Sequence, residues 1–246
     1  MSFMRFAFAA AASLVLSSCI LSPGKFVSTL HVGKDRAFTF TYVGEVILLD
    51  PAAAMQQGMQ EGLNQPAPAG EGGMVDESDI VANAADDAAP PPPVPAAETA
   101  QAIAEGKAIA EALSKEVGYR SAEYLGRNKF RVDYSTTGRL DRSFVYPINL
   151  DAKSIIPWIA VEVRKDRTAR IKAIAFGDDQ DAGLGGGGKP DSAPKEREGT
   201  FTFTTDAELV MQNNEEGMAP GAGKKVVWKV TPASKVVPTA VVRFAN

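Results

Sequence analysis

The chain has 246 residues, with 26 Lys and Arg against 30 Asp and Glu, one His and one Cys, for a formal net charge of −4. One histidine and one cysteine exclude a His/Cys metal cluster and an intrachain disulfide, and the acidic balance speaks against nucleic acid as a partner. Hydrophobic residues at 45% and aromatics at 8% support a real core, although much of the apolar count is alanine in low-complexity stretches.

The N-terminus has three parts. Arg5 and the free amine make a short positive region, Phe6 to Leu16 is an apolar run too short to span a bilayer, and Leu16-Ser17-Ser18-Cys19 ends it. This order resembles the lipobox of bacterial lipoproteins. The resemblance implies that residues 1–18 are a signal peptide, that the Cys19 thiol carries a diacylglyceryl group, with palmitate-type chains, and that the mature chain runs over 19–246. Two or more acyl chains anchor a protein stably, where one does not. Ile20 rather than aspartate after the cysteine implies the periplasmic face of the outer membrane. A plain secretory signal with a chance cysteine is the alternative.

Alternation of Phe26, Leu30 and Val32 against Val27, Thr29 and His31 predicts a strand over 26–32. Gly33 to Arg36 reads as a turn, and Phe38, Phe40 and Tyr42 alternating with Thr39 and Thr41 predict a second strand over 37–49, closing a hairpin. Met55, Met59 and Leu63, four apart, outline a short apolar helical stripe that serves either the core or an adaptable contact surface. Residues 65–97, rich in Ala, Pro, Gly and acids, read as a disordered insertion, with Pro90 to Pro95 stiff and extended. Glu98 to Val117 predicts a helix closed by Gly118, with Ile103, Ala110, Leu113 and Val117 as its apolar stripe and Gly106 as a weak spot.

Strands follow at 119–124, 129–136 and 143–150, with a turn at Thr137-Gly138-Arg139 and Pro147 marking an edge or bulge. A hairpin at 155–176 turns at Lys165-Asp166-Arg167. Residues 177–199 read as a glycine-rich loop, 200–211 as one strand, and strands at 226–230 and 240–244 close the chain. Because a two-stranded hairpin is marginal alone, the first hairpin must join the later strands, and the insertion then falls inside a single domain. The expected fold is α+β: an antiparallel β-rich sheet or two-layer sandwich of eight or nine strands with one or two helices on one face.

Charge is uneven. Residues 51–118 hold 11 acids and 2 bases, whereas residues 119–176 hold 12 bases and 6 acids. Arg164, Lys165, Arg167, Arg170 and Lys172 crowd one hairpin, with Lys129, Arg131, Arg139 and Arg142 as candidate neighbours, so this surface suits either anionic head groups or plain solvation.

The remaining motifs fail on their chemistry. Gly183 to Lys189 looks like a phosphate loop, but Pro190 stands where a Ser or Thr must bind magnesium and no helix follows. Asp178, Asp179 and Asp181 lack the spacing of a calcium loop. His31, alone, reads as a strand-face residue and not as part of a catalytic triad. No catalytic, cofactor or metal residue is expected, and neither nucleotide nor nucleic acid as partner.

Phe201 to Asp206, a loop with Asn213-Asn214, and Lys225 to Val230 with Trp228 resemble the end of LppM-type bacterial lipoprotein domains, over about 40 residues. That family carries Pro-Gly where this chain has Thr205-Asp206. The resemblance implies an α+β envelope domain in contact with lipid or glycolipid, and it offers no catalytic residues. The expected role is thus a non-enzymatic, membrane-anchored periplasmic lipoprotein that binds an amphiphile or envelope component. A structural or assembly role through protein contacts is the alternative, and an envelope hydrolase ranks behind both.

Overall fold

The computed structural model describes residues 20–49, 98–147, 157–177, 196–221 and 223–245. Cys19, Met55, Met59, Leu63, the 65–97 segment and the aspartates at 178–181 lie outside them, as does most of the glycine-rich stretch.

The fold is α+β, with two mostly antiparallel sheets and, among the described residues, one α-helix. The first sheet has six strands in the order β10-β8-β1-β2-β4-β3, and the second has five in the order β5-β6-β7-β11-β9. In chain order these are β1 Ile20–Val32, β2 Ala37–Leu49, β3 Tyr119–Gly126, β4 Lys129–Arg139, β5 Phe144–Tyr146, β6 Ile159–Val163, β7 Thr168–Lys172, β8 Glu198–Thr205, β9 Glu208–Gln212, β10 Lys224–Val230 and β11 Thr239–Arg243. The helix α1 spans Ala100–Leu113. There are eleven strands among the described residues rather than eight or nine: the segments read singly already number ten, and one of them divides. The segment read as one strand over 200–211 breaks at Asp206-Ala207, where the chain leaves the first sheet at β8 and enters the second at β9. Thr137-Gly138-Arg139 is not a turn. It continues β4, because the long β2 offers partners as far as Ala37, opposite Arg139. Glu198 and Gly199 belong to β8 and not to the loop, paired with Lys25 and Phe26 of the parallel neighbour β1.

β2, which ends just before residues 50–97, and β4, which follows them after α1 and β3, are hydrogen-bonded neighbours along most of their length. The alternation read in the sequence sets what faces inward. Leu30, Phe40, Tyr42, Val132, Phe201, Phe203 and Val226 from the first sheet meet Ile159, Val161, Ile171, Ala240 and Val242 from the second, all buried. Rings fill the space between: Tyr42 lies 5.2 Å from Trp158, Phe40 lies 4.9 Å from Tyr146, and Phe26 stacks on Phe176 at 4.3 Å. Trp158 Nε1 donates to the Leu21 carbonyl at 3.0 Å, which ties the second sheet to the start of β1.

The helix starts at Thr99, whose hydroxyl accepts from the Ala102 amide. It ends at Ser114, short of the predicted Val117. Val117 is 92% exposed and belongs to no stripe. The buried positions are Gly106 and Ala110, which sit against the inner face of β3. A Cβ at Gly106 would lie 2.4 Å from the Tyr124 ring, so the glycine read as a weak spot is the point of closest approach. Gly106→Ala is expected to destabilise the fold by about 1–3 kcal/mol, although alanine favours an isolated helix by about 1 kcal/mol. Urea unfolding of the two proteins checks the sign.

Burial pushes the Tyr42 and Tyr146 hydroxyls well above the ordinary tyrosine range, and those of Tyr119 and Tyr134 upward for the same reason. A folded pKa above the unfolded one contributes stability that is complete below about pH 10 and lost as pH rises through the folded values. The fold is therefore expected to hold up to about pH 10 and to fail above it, with tyrosinate absorbance and near-UV circular dichroism changing together. Tyrosine ionisation running well ahead of unfolding would contradict this.

Candidate functional site

The topology gathers bases at one end of the sandwich. β1 and β2 turn there through Gly33 to Arg36, β4 and β5 connect there through Leu140 to Ser143, and β6 and β7 turn there through Arg164 to Arg167. The crossing at Asp206-Ala207 and the C-terminal end of β11 complete the surface. Backbone and side-chain contacts knit these loops together. Leu140 donates its amide to the Arg36 carbonyl at 2.8 Å and Phe244 donates to the Arg167 carbonyl at 3.0 Å. The Ser143 hydroxyl accepts from the Val163 amide at 3.3 Å, and the Lys34 amide donates to Asp206 Oδ1 at 2.6 Å.

This end carries Lys34, Arg36, Arg139, Arg142, Arg164, Lys165, Arg167, Lys224, Lys225 and Arg243. Against those ten bases stand Asp35, Asp141, Glu162, Asp166, Asp206 and Glu208, a local balance of +4. Three bases have carboxylate partners: Arg139 with Asp141 at 3.2 Å, Arg164 with Glu162 at 3.9 Å, and Arg243 with Glu208 at 2.9 Å. Asp166 turns inward on its own hairpin. The Thr168 hydroxyl donates to its carboxylate at 2.6 Å and holds its pKa below the usual range, aided by the Thr168 amide and by Arg164. Arg142, Lys165 and Arg167 are exposed, and no carboxylate among the described residues lies within ion-pair distance of them.

Two of the tip arginines adopt a backbone that their side chains disfavour. Arg36 has φ +71° and Arg167 has φ +65°. Glycine or asparagine fits such positions with less strain. Arg36 is partly explained by its guanidinium lying 5.1 Å from the centre of the Phe244 ring. Arg167 has no such contact, and its charge points into solvent at the tip of its hairpin.

Of the predicted basic cluster, then, Arg164, Lys165 and Arg167 come together with Arg139 and Arg142. Arg170 and Lys172 lie lower on β7, half-buried on the outer face of the second sheet. Lys129 and Arg131 sit at the opposite end of β4, where Lys129 is held by Glu196 and Glu45 and Arg131 by Glu123. Sequence reading missed Lys34 and Arg36. The Gly33-Lys34-Asp35-Arg36 turn signal was present, but its spatial neighbours were not.

The basic end is remote from the start of the chain's described part. Ile20 opens β1 at the other end, and a strand of 13 residues spans about 40 Å. No helix among the described residues is long and apolar enough to cross a membrane, and no group of three His, Cys, Asp or Glu among them is placed to hold a metal ion. His31 stands exposed on the outer face of β1, its Nδ1 3.0 Å from the Thr204 hydroxyl.

No family model and no curated protein matches the sequence. Among solved structures, the chain is similar to the folded domain of LppM from Mycobacterium tuberculosis, determined by NMR. The two share 12% identity with a TM-score of 0.35, over 92% of this chain and 93% of that one.

Proposed function

We propose that the chain is a non-enzymatic, lipid-anchored cell-envelope protein that holds an anionic envelope component at the basic loop end of its sandwich. The observation that carries the reading is the convergence of ten bases from five loops and strand ends, about 40 Å from the start of β1, the strand that follows Cys19. With Cys19 acylated, β1 rises from the membrane and the loop end faces away from the bilayer that anchors it. The ligand chemistry is phosphate or carboxylate on an extended envelope molecule, an amphiphile's head group included. Guanidinium groups suit such oxyanions because they form paired hydrogen bonds. The reading places the ligand at the loop end and not between the sheets, where rings of the described residues pack together.

Two measurements test the reading. Cys19→Ser is expected to release the protein from the membrane fraction and to abolish incorporation of labelled palmitate. Polyphosphate is expected to bind the protein with an affinity that falls steeply with added salt, since each neutralised charge releases counterions. Protein that stays in the membrane without Cys19, or polyphosphate binding indifferent to salt, would overturn the corresponding half.

The second reading, an assembly protein working through protein contacts, is favoured by the outer face of the six-stranded sheet, where Val27 and Val43 stand side by side, 57% and 47% exposed.

A further inference from the structure

The outer face of the six-stranded sheet is ordered in rows by its register. One row reads Lys229, Thr200, Val27, Val43, Asp133, Ser121 across β10, β8, β1, β2, β4 and β3. The next towards the loop end reads Val227, Thr202, Thr29, Thr41, Ser135. The row on the other side carries Glu198 on β8, Lys25 on β1, Glu45 on β2, Arg131 on β4 and Glu123 on β3. The mid-line of the sheet falls between β1 and β2, with three strands on each side.

About that line the face is its own complement. A two-fold axis parallel to the strands sets β1 over the partner's β2 and β8 over the partner's β4, and it keeps each row level. Val27 then meets Val43, Thr29 meets Thr41, and Thr202 meets Ser135. Lys25 meets Glu45, Glu198 meets Arg131, and the Thr200 hydroxyl meets the Asp133 carboxylate. Four of the five charges in that row land on an opposite charge, and the fifth, Glu123 at the β3 edge, is paired with Arg131 of its own chain. The open depression of about 450 Å³ lined by Lys25, Phe26, Val27, Val43 and Glu198 receives the partner's Val43.

We propose that this face is the interface of a parallel homodimer, its two-fold axis along the strands and its occupant a second copy of this chain. The area is sufficient. Six strands about 4.8 Å apart and rows about 6.7 Å apart give roughly 500 Å² per copy, so the pair buries about 1,000 Å², the lower bound of a specific interface. Aligned sheets cross at about −30°, which shears the outermost strands but leaves the β1 and β2 positions opposed. The axis sends both copies of Ile20 the same way, so two acylated Cys19 residues enter one membrane and the two basic ends stand side by side. The proposal needs only the sheet register and holds whether or not the loop end binds an anion.

The test is a mixed disulfide in the membrane that holds the full chain. Differently tagged Val27→Cys and Val43→Cys chains are co-expressed and oxidised mildly, and Val27→Cys is paired with Val117→Cys on the exposed helix end as the collision control. The mixed 27–43 product is expected to exceed the control about tenfold. Lys25→Glu, which sets like charges opposite each other, is expected to reduce the product about tenfold, and adding Glu45→Lys to restore it. A 27–43 yield no higher than the control overturns the proposal. So does a yield that Lys25→Glu leaves unchanged while circular dichroism shows the variant folded.

Discussion

Trp158→Ala is expected to lower the free energy of unfolding by about 3–5 kcal/mol, a large fraction of the 5–15 kcal/mol that holds a typical domain together. Trp158 is fully buried, packs against Tyr42 and Tyr146, and donates its indole N–H to the Leu21 carbonyl. The substitution removes apolar burial, leaves a cavity, and strips a partner from a carbonyl at the start of β1. Trp228 provides the contrast. It is also buried and stacks on Phe201 at 5.5 Å, but its Nε1 has no hydrogen-bond partner. Phenylalanine at 228 removes that unpaired donor along with some volume, whereas phenylalanine at 158 loses a bond that was made. The 158 variant is therefore expected to be the less stable of the two by about 1–2 kcal/mol. Urea unfolding of the parent and the three variants measures both effects, and equal stability of the two phenylalanine variants would contradict the account of β1 tethering.

The second large effect concerns the loop end. Arg142→Glu, Lys165→Glu and Arg167→Glu together change its charge by six, from +4 to −2. Each base at an anionic surface contributes about 1 kcal/mol, so polyphosphate affinity at low salt is expected to fall about 100-fold or more. Stability is expected to change little, because none of the three makes an ion pair among the described residues and all are exposed. Arg167→Gly separates charge from backbone. It relieves the left-handed strain at φ +65° and is expected to stabilise the fold modestly while weakening binding. Isothermal titration with polyphosphate at two salt concentrations, alongside urea unfolding, checks both halves.

The α+β class, the first hairpin, the 165–167 turn and the Trp228 strand were legible because period-two alternation is strong where one face is buried. Phe38, Phe40 and Tyr42 against Thr39 and Thr41 announce both the strand and its inward side. What escaped was non-local. Nothing at Asp206-Ala207 marks a strand that changes sheets, since both halves remain extended and only the partner differs. Gly106 reads as a helix defect until Tyr124, far away in sequence, supplies the reason for it. Thr137 to Arg139 carries a turn signature that long-range pairing with β2 overrides. The candidate site divides in the same way. The 164–167 cluster is local and could be read, but its union with Arg36, Arg139 and Arg142 follows from strand ends meeting in space. Arg170 and Lys172, two and four residues past the hairpin's first paired residue, point to the sheet face instead, as alternation along β7 requires.

The most direct measurement is vesicle tethering. Acylated protein is placed in neutral phosphatidylcholine vesicles, and these are mixed with phosphatidylglycerol vesicles while light scattering is followed. With the anchor at one end of β1 and the bases at the other, the protein is expected to clump the two vesicle populations at low salt. Clumping should reverse on adding salt and be absent with the Arg142, Lys165 and Arg167 charge reversals. Failure to clump at low salt, or clumping that survives the charge reversals, would contradict a basic end presented away from its own membrane.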